Sequence, residues 1–107
     1  MKTDRELLEL AAKAAGIDPV IRVEADGLVI GPNSRRRWWS PLADDGDALR
    51  LAVNLRIDIT FFNGFGEVHA EHCDGSPQCN EDYSDDMHAT TRRAIVRVAA
   101  AIGETMP

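Results

Sequence analysis

The sequence predicts an α+β fold of order α-β-β-α-β-β-α, with a four-stranded, mainly antiparallel sheet packed by helices. Three observations predict it. Apolar and polar residues alternate on both sides of Asp26-Gly27 and again around Asn63-Gly64, the pattern of tight hairpins. Three other segments repeat apolar residues at helical spacing, each opening on Thr or Asp. The length, 107 residues, suits a single domain (1–107) with one modest core.

The first helix spans about 4–15. Thr3 and Glu6 form a capping box in which each side chain satisfies the other residue's backbone N–H. Leu7, Leu10, Ala11 and Ala14 follow at helical spacing, and Gly16 suits the position after the helix end. Ile21, Val23 and Ala25 then alternate with Arg22 and Glu24. A two-residue turn at Asp26-Gly27 pairs Ala25 with Leu28 and Val23 with Ile30, which places all of them on one face with Ile21. Gly31-Pro32-Asn33-Ser34 ends this hairpin.

The stretch Trp38 to Leu55 organises the chain. An aromatic pair leads into Ser40-Pro41, then Asp44-Asp45-Gly46-Asp47, then Ala48-Leu49-Arg50-Leu51-Ala52-Val53-Asn54-Leu55. Asp44 or Asp45 caps the helix, and the three acids complement the positive end of its dipole. Only Arg50 and Asn54 mark a wet strip, so the helix is expected to be central or to meet a second subunit. Ile57, Ile59 and Phe61 next alternate with Asp58, Thr60 and Phe62. A turn at Asn63-Gly64 pairs Phe61 with Gly66, Ile59 with Val68 and Ile57 with Ala70. Residues 73–86 read as an exposed acidic loop. Asp85 or Asp86 caps the last helix, whose buried stripe is Met87, Thr91, Ala94, Ile95, Val98 and Ile102. Gly103 ends it, and Val96 and Ala100 lie on the outer side with Arg93 and Arg97.

Trp39 to Leu55, with the leading helix, the strand pair and the Ala-rich, Arg-bearing last helix, resembles a group of small proteins of tailed phages and prophages, the phage ABA sandwich domain family. The resemblance covers about residues 3–102. It implies a sandwich with helices on both faces of the sheet and a phage or prophage origin; it carries no implication about activity. Arg35-Arg36-Arg37 and the acidic loop depart from the family pattern.

Net charge is −6, with the first half of the chain near neutral and the second half strongly acidic. This argues against general affinity for nucleic acid or anionic membranes. No run of about 20 apolar residues is present to span a membrane. Asp4, Glu6 and Glu9 stand where a signal peptide needs an apolar core, so a cytoplasmic protein with reduced Cys73 and Cys79 is expected.

Arg35, Arg36, Arg37, Trp38 and Trp39 are the candidate ligand- or partner-binding residues. Guanidinium groups grip phosphates and carboxylates in a fork, and a Trp face stacks on aromatic rings or cations. The alternative is that one Trp enters the core, since neighbours on an extended segment face opposite ways, and that the arginines neutralise Glu81, Asp82, Asp85 and Asp86. His69, His72, Cys73 and Cys79, with His88, lack the close Cys pairs of a structural zinc site, so no metal is expected. The acids around the cysteines disfavour a reactive thiolate. No phosphate loop, dinucleotide fingerprint or nucleophile elbow is present, and Asp44-Asp45-Gly46-Asp47 is too short for a calcium loop. The expectation is a non-enzymatic accessory protein, without cofactor and dimeric, that binds a host or phage protein. The alternative is a binder of an anionic, nucleotide-like small molecule.

Overall fold

The elements run α1 (Asp4–Ala14), β1 (Val20–Val23), β2 (Leu28–Ile30), β3 (Arg37–Trp39), α2 (Asp45–Leu55), β4 (Ile57–Phe62), β5 (Glu67–His72), β6 (Gln78–Asp82) and α3 (Met87–Glu104), with a 3-10 turn at Asn33–Arg35. The structure is a computed structural model and describes residues 2–107. It is an α+β fold, but the expected four-stranded sheet is replaced by two separate three-stranded antiparallel sheets, β1-β2-β3 and β4-β5-β6. Two strands account for the difference. β3 is three residues long, too short to display an alternation. β6 lies inside the stretch expected to be an acidic loop. Its inward positions hold Cys79 and Glu81, so a single small apolar side chain is all that marks its inner face.

Both hairpins form with registers other than those expected. In the first, Val23 faces Leu28, Arg22 faces Val29 and Val20 faces Ile30, with a bulge at Ile21. The apex is Ala25-Asp26, because Glu24 N donates to Gly27 O at 2.9 Å. Gly27 serves packing: a Cβ there would lie 2.4 Å from the Trp38 ring. In the second hairpin Phe61 faces Val68, Ile59 faces Ala70 and Ile57 faces His72, so Ile59 does not pair with Val68. Four residues, Asn63–Gly66, make the turn, with Gly66 at φ +63°. A slip of two residues preserves which side chains share a face, so Ile57, Ile59, Phe61, Val68 and Ala70 still point one way.

The helices cap as their sequences require. Thr3 and Glu6 close the capping box, Asp44 accepts from Asp47 N, and Asp86 accepts from Ala89 N at 2.9 Å. The sequence places α2 either at the centre or against a second subunit; the centre belongs to α3. It packs on the β4-β5-β6 sheet, on α1 and on α2. Small residues make this possible. Ala94, Ala99 and Ala100 are fully buried, and a Cβ on Gly103 would come within 2.0 Å of Leu10 O on α1. Gly103 is thus inside the helix, whose cap is Thr105, and it permits a close backbone crossing. Val96 and Ala100, expected outside, are buried.

The layers run sheet, α3, α1. Asp58, Thr60, Phe62, Glu67, His69 and Glu71 occupy the far face of the β4-β5-β6 sheet, and none of them is buried. Helices on both faces, which the family resemblance implies, are therefore absent among the described residues. The β1-β2-β3 sheet contributes Leu28, Ile30 and Trp39 to the same continuous core as the helices.

Candidate functional site

The Arg-Trp segment is split among different environments. Trp39 is 4% exposed and belongs to the core, whereas Trp38 is 46% exposed on the outward face of β3, opposite Val29. This is the alternation required of neighbours on a strand. Arg37 lies on the same face as Trp39. Its guanidinium is 3.8 Å from Asp47 Oδ1. Arg36 donates to Asn33 Oδ1 at 3.3 Å, and Arg35 ends the 3-10 turn. No ion pair joins Arg35, Arg36 or Arg37 to Glu81, Asp82, Asp85 or Asp86 among the described residues; Glu81 is taken by Arg97. Charge alone could not choose among these partners, because the choice depends on which element packs beside which.

The three acids that open α2 have three different tasks. Asp44 caps the helix, accepting from Asp47 N at 2.8 Å. Asp47 is buried, with Oδ2 accepting from Ser40 N at 2.9 Å and Oδ1 accepting from Arg50 at 2.8 Å. A buried carboxylate needs such partners. With Arg37 it ties the end of β3 to α2. Asp45 points the other way, across to α3. It contacts His88 Nδ1 at 2.7 Å and accepts from Arg92, whose Nε donates to Leu42 O at 2.9 Å. Arg92, and then His88, hold the Asp45 carboxyl below the usual range.

Beside this ionic contact lies a cleft of about 340 Å³ between α2, β4 and α3. Ala48, Leu49, Ile59, Phe61, Met87 and Ile95 line it, and Asp45, His88 and Arg92 stand at one end. Leu49 is 61% exposed and Phe61 52%. Val53, one helical turn beyond Leu49, is 56% exposed. The hydroxyl in the cleft, that of Thr91, donates back to Met87 O at 2.8 Å. The cleft therefore offers apolar surface with one charged, self-paired end, suited to receiving apolar side chains. Sequence reasoning did not identify it as a site. Its trace in the sequence was the excess of apolar residues around the α2 wheel.

A second cavity, of about 450 Å³, lies between α1 and α3. Its charges are satisfied internally: Lys2 pairs with Glu104 at 2.8 Å, Arg93 with Asp4 at 3.1 Å, and Arg97 with Glu81, whose carboxylate raises the Arg97 pKa further.

The histidines and cysteines are dispersed. His69 binds Asn80 on the open face of the sheet, and His88 binds Asp45. Cys79 is turned inward, donating to Ala94 O at 3.2 Å, and burial pushes its thiol pKa up. Both cysteines are free thiols. His72 and Cys73 stay together and are joined by Asp74: one donor atom from each lies within 4.8 Å of the others. No helix among the described residues is long and apolar enough to cross a membrane. No family model, curated protein or solved structure matches this chain.

Proposed function

We propose that this chain is a non-enzymatic phage or prophage accessory protein that binds a host or phage protein, and that the α2–β4–α3 cleft receives an amphipathic segment of that partner. The carrying observation is an apolar cleft with exposed Leu49 and Phe61 in its lining and Val53 exposed one helical turn beyond Leu49. Apolar side chains grouped in this way mark interaction surfaces more often than scattered ones do. The resemblance of the Trp39–Leu55 stretch to phage proteins supports the origin.

A photo-crosslinker at Val53, used in the host cell, tests the reading. A heterologous adduct that disappears with Phe61→Asp supports it. An adduct made only with a second copy of this chain transfers the surface to the dimer expected from the sequence, and no adduct at all overturns it.

A second reading has an observation of its own. Arg35 and Arg36 make no ion pair with a carboxylate among the described residues, and Trp38 presents a half-exposed ring close by in the chain. Together they suit an anionic, nucleotide-like ligand. Replacing Arg35 and Arg36 by Ala separates the possibilities: lost affinity with unchanged melting supports a site, and lowered melting with unchanged binding opposes it.

A further inference from the structure

We propose that the turn His72-Cys73-Asp74 is a surface site for zinc or a similar thiophilic divalent ion. It is distinct from the closed structural site that the sequence argues against, and it is independent of the cleft.

Three kinds of donor converge there. Cys73 Sγ lies 3.8 Å from His72 Nε2, and the Asp74 carboxylate completes a group within 4.8 Å. Zinc bonds of about 2.3 Å to sulfur and 2.0–2.1 Å to nitrogen, at tetrahedral angles, would separate the two ligand atoms by about 3.6 Å. The observed spacing needs only a small adjustment. Asp74 is largely exposed and free to swing, with Oδ2 3.5 Å from the imidazole.

The main chain holds this turn in place without help from an ion. His72 N donates to Pro77 O at 3.0 Å, Cys73 N to Arg56 O at 2.9 Å and Gly75 N to His72 O at 2.7 Å. Gly75 sits at φ +91°, a conformation open chiefly to glycine. The Arg56 guanidinium donates to Val53 O.

Unliganded, His72 Nδ1 accepts from Asp74 N at 3.3 Å, which leaves the neutral ring's proton on Nε2. On binding, the Cys73 thiol proton passes to solvent, the ring proton moves to Nδ1 at the expense of that hydrogen bond, and Nε2 ligates. Thiolate with imidazole selects zinc, cobalt or copper over magnesium and calcium. Three protein donors leave a tetrahedral position open to water or to a ligand from another molecule.

The test uses the reduced, metal-free full chain titrated with Co²⁺, reading the thiolate-to-cobalt charge-transfer absorption, followed by Zn²⁺ competition. The expected result is one ion per chain, displaced by Zn²⁺ and not by Mg²⁺. Cys73→Ala should abolish the band and Cys79→Ala should leave it. Asp74→Asn should weaken binding by roughly tenfold or more. Cys73 and Asp74 are exposed, so circular dichroism of their variants should match the parent. The proposal is overturned by the absence of a band in the parent, by a band that survives Cys73→Ala, or by affinity no tighter than that of an unstructured peptide bearing His-Cys-Asp-Gly.

Discussion

Replacing Gly103 by Ala sets helix propensity against packing. Gly103 lies in the last turn of α3, where alanine is favoured over glycine by about 0.8–1.0 kcal/mol in a helix interior. Judged as a helix position alone, Gly103→Ala should raise stability. The tertiary structure reverses the sign. The added Cβ would stand 2.0 Å from Leu10 O and 2.9 Å from Leu10 C, both backbone atoms of α1. Neither can rotate away as the end of a flexible side chain could. α1 and α3 must separate, in a region where Ala11 and Ala99 are fully buried. Overpacking of this kind costs about 1–3 kcal/mol. The lost packing between the separated helices adds to that cost, so a net loss of about 2 kcal/mol is expected. For 107 residues the unfolding entropy is about 0.2 kcal/mol/K, so the melting temperature should fall by about 9 °C. Thermal denaturation followed by circular dichroism measures it, with Glu104→Ala as a control of unaltered packing. A melting temperature equal to or above the parent's would refute the close α1–α3 crossing.

Other outcomes follow from the same contacts. Asp47→Ala leaves the Ser40 N–H unpaired in the core and removes the Arg50 partner, so it should cost about 1–3 kcal/mol. Asp44→Ala loses a cap, worth about 1 kcal/mol, and a long, exposed contact with Arg50 at 3.8 Å, so urea unfolding should rank Asp47→Ala as the more damaging. In the native state a maleimide should label Cys73 well before Cys79, which is half-buried, bonded to Ala94 O and raised in pKa; mass spectrometry of partly labelled protein reads the order. The Asp45 carboxyl is held below its usual range by Arg92 and His88, so its stabilising contribution is present above the ordinary aspartate pKa and is lost as pH falls through the folded value. The melting difference between parent and Asp45→Asn should therefore close in acid and shrink with added salt.

Much of the local structure was legible in the sequence. The Thr3–Glu6 capping box, a cap at Asp44 or Asp45 and another at Asp85 or Asp86, the two hairpins and the inward face of Ile57, Ile59 and Phe61 depend on residues within a few positions of one another. That one Trp turns inward and the other outward also follows from the strand period, once the segment is extended. Of the candidate site, the excess apolar surface of α2 was visible as Leu49 and Val53, but not the cleft beside it.

The rest waited on tertiary structure. β3 and β6 are strands because a neighbouring edge offers hydrogen bonds, not because their own residues alternate. Whether four strands join in one sheet or six divide into two is decided by which edges meet. α3 takes the centre because Ala94, Ala99, Ala100 and Gly103 let a sheet and two helices approach it closely. A periodic pattern reports which positions are apolar but not how near another backbone can come. Likewise, the pairing of Arg37 with Asp47 rather than the acidic stretch, and the gathering of His72, Cys73 and Asp74 apart from the other histidines, depend on distances that only the folded chain sets. Short-range hydrogen bonding and side-chain alternation are local properties of the sequence. Contact between distant segments is a property of how the whole set of faces can be buried at once.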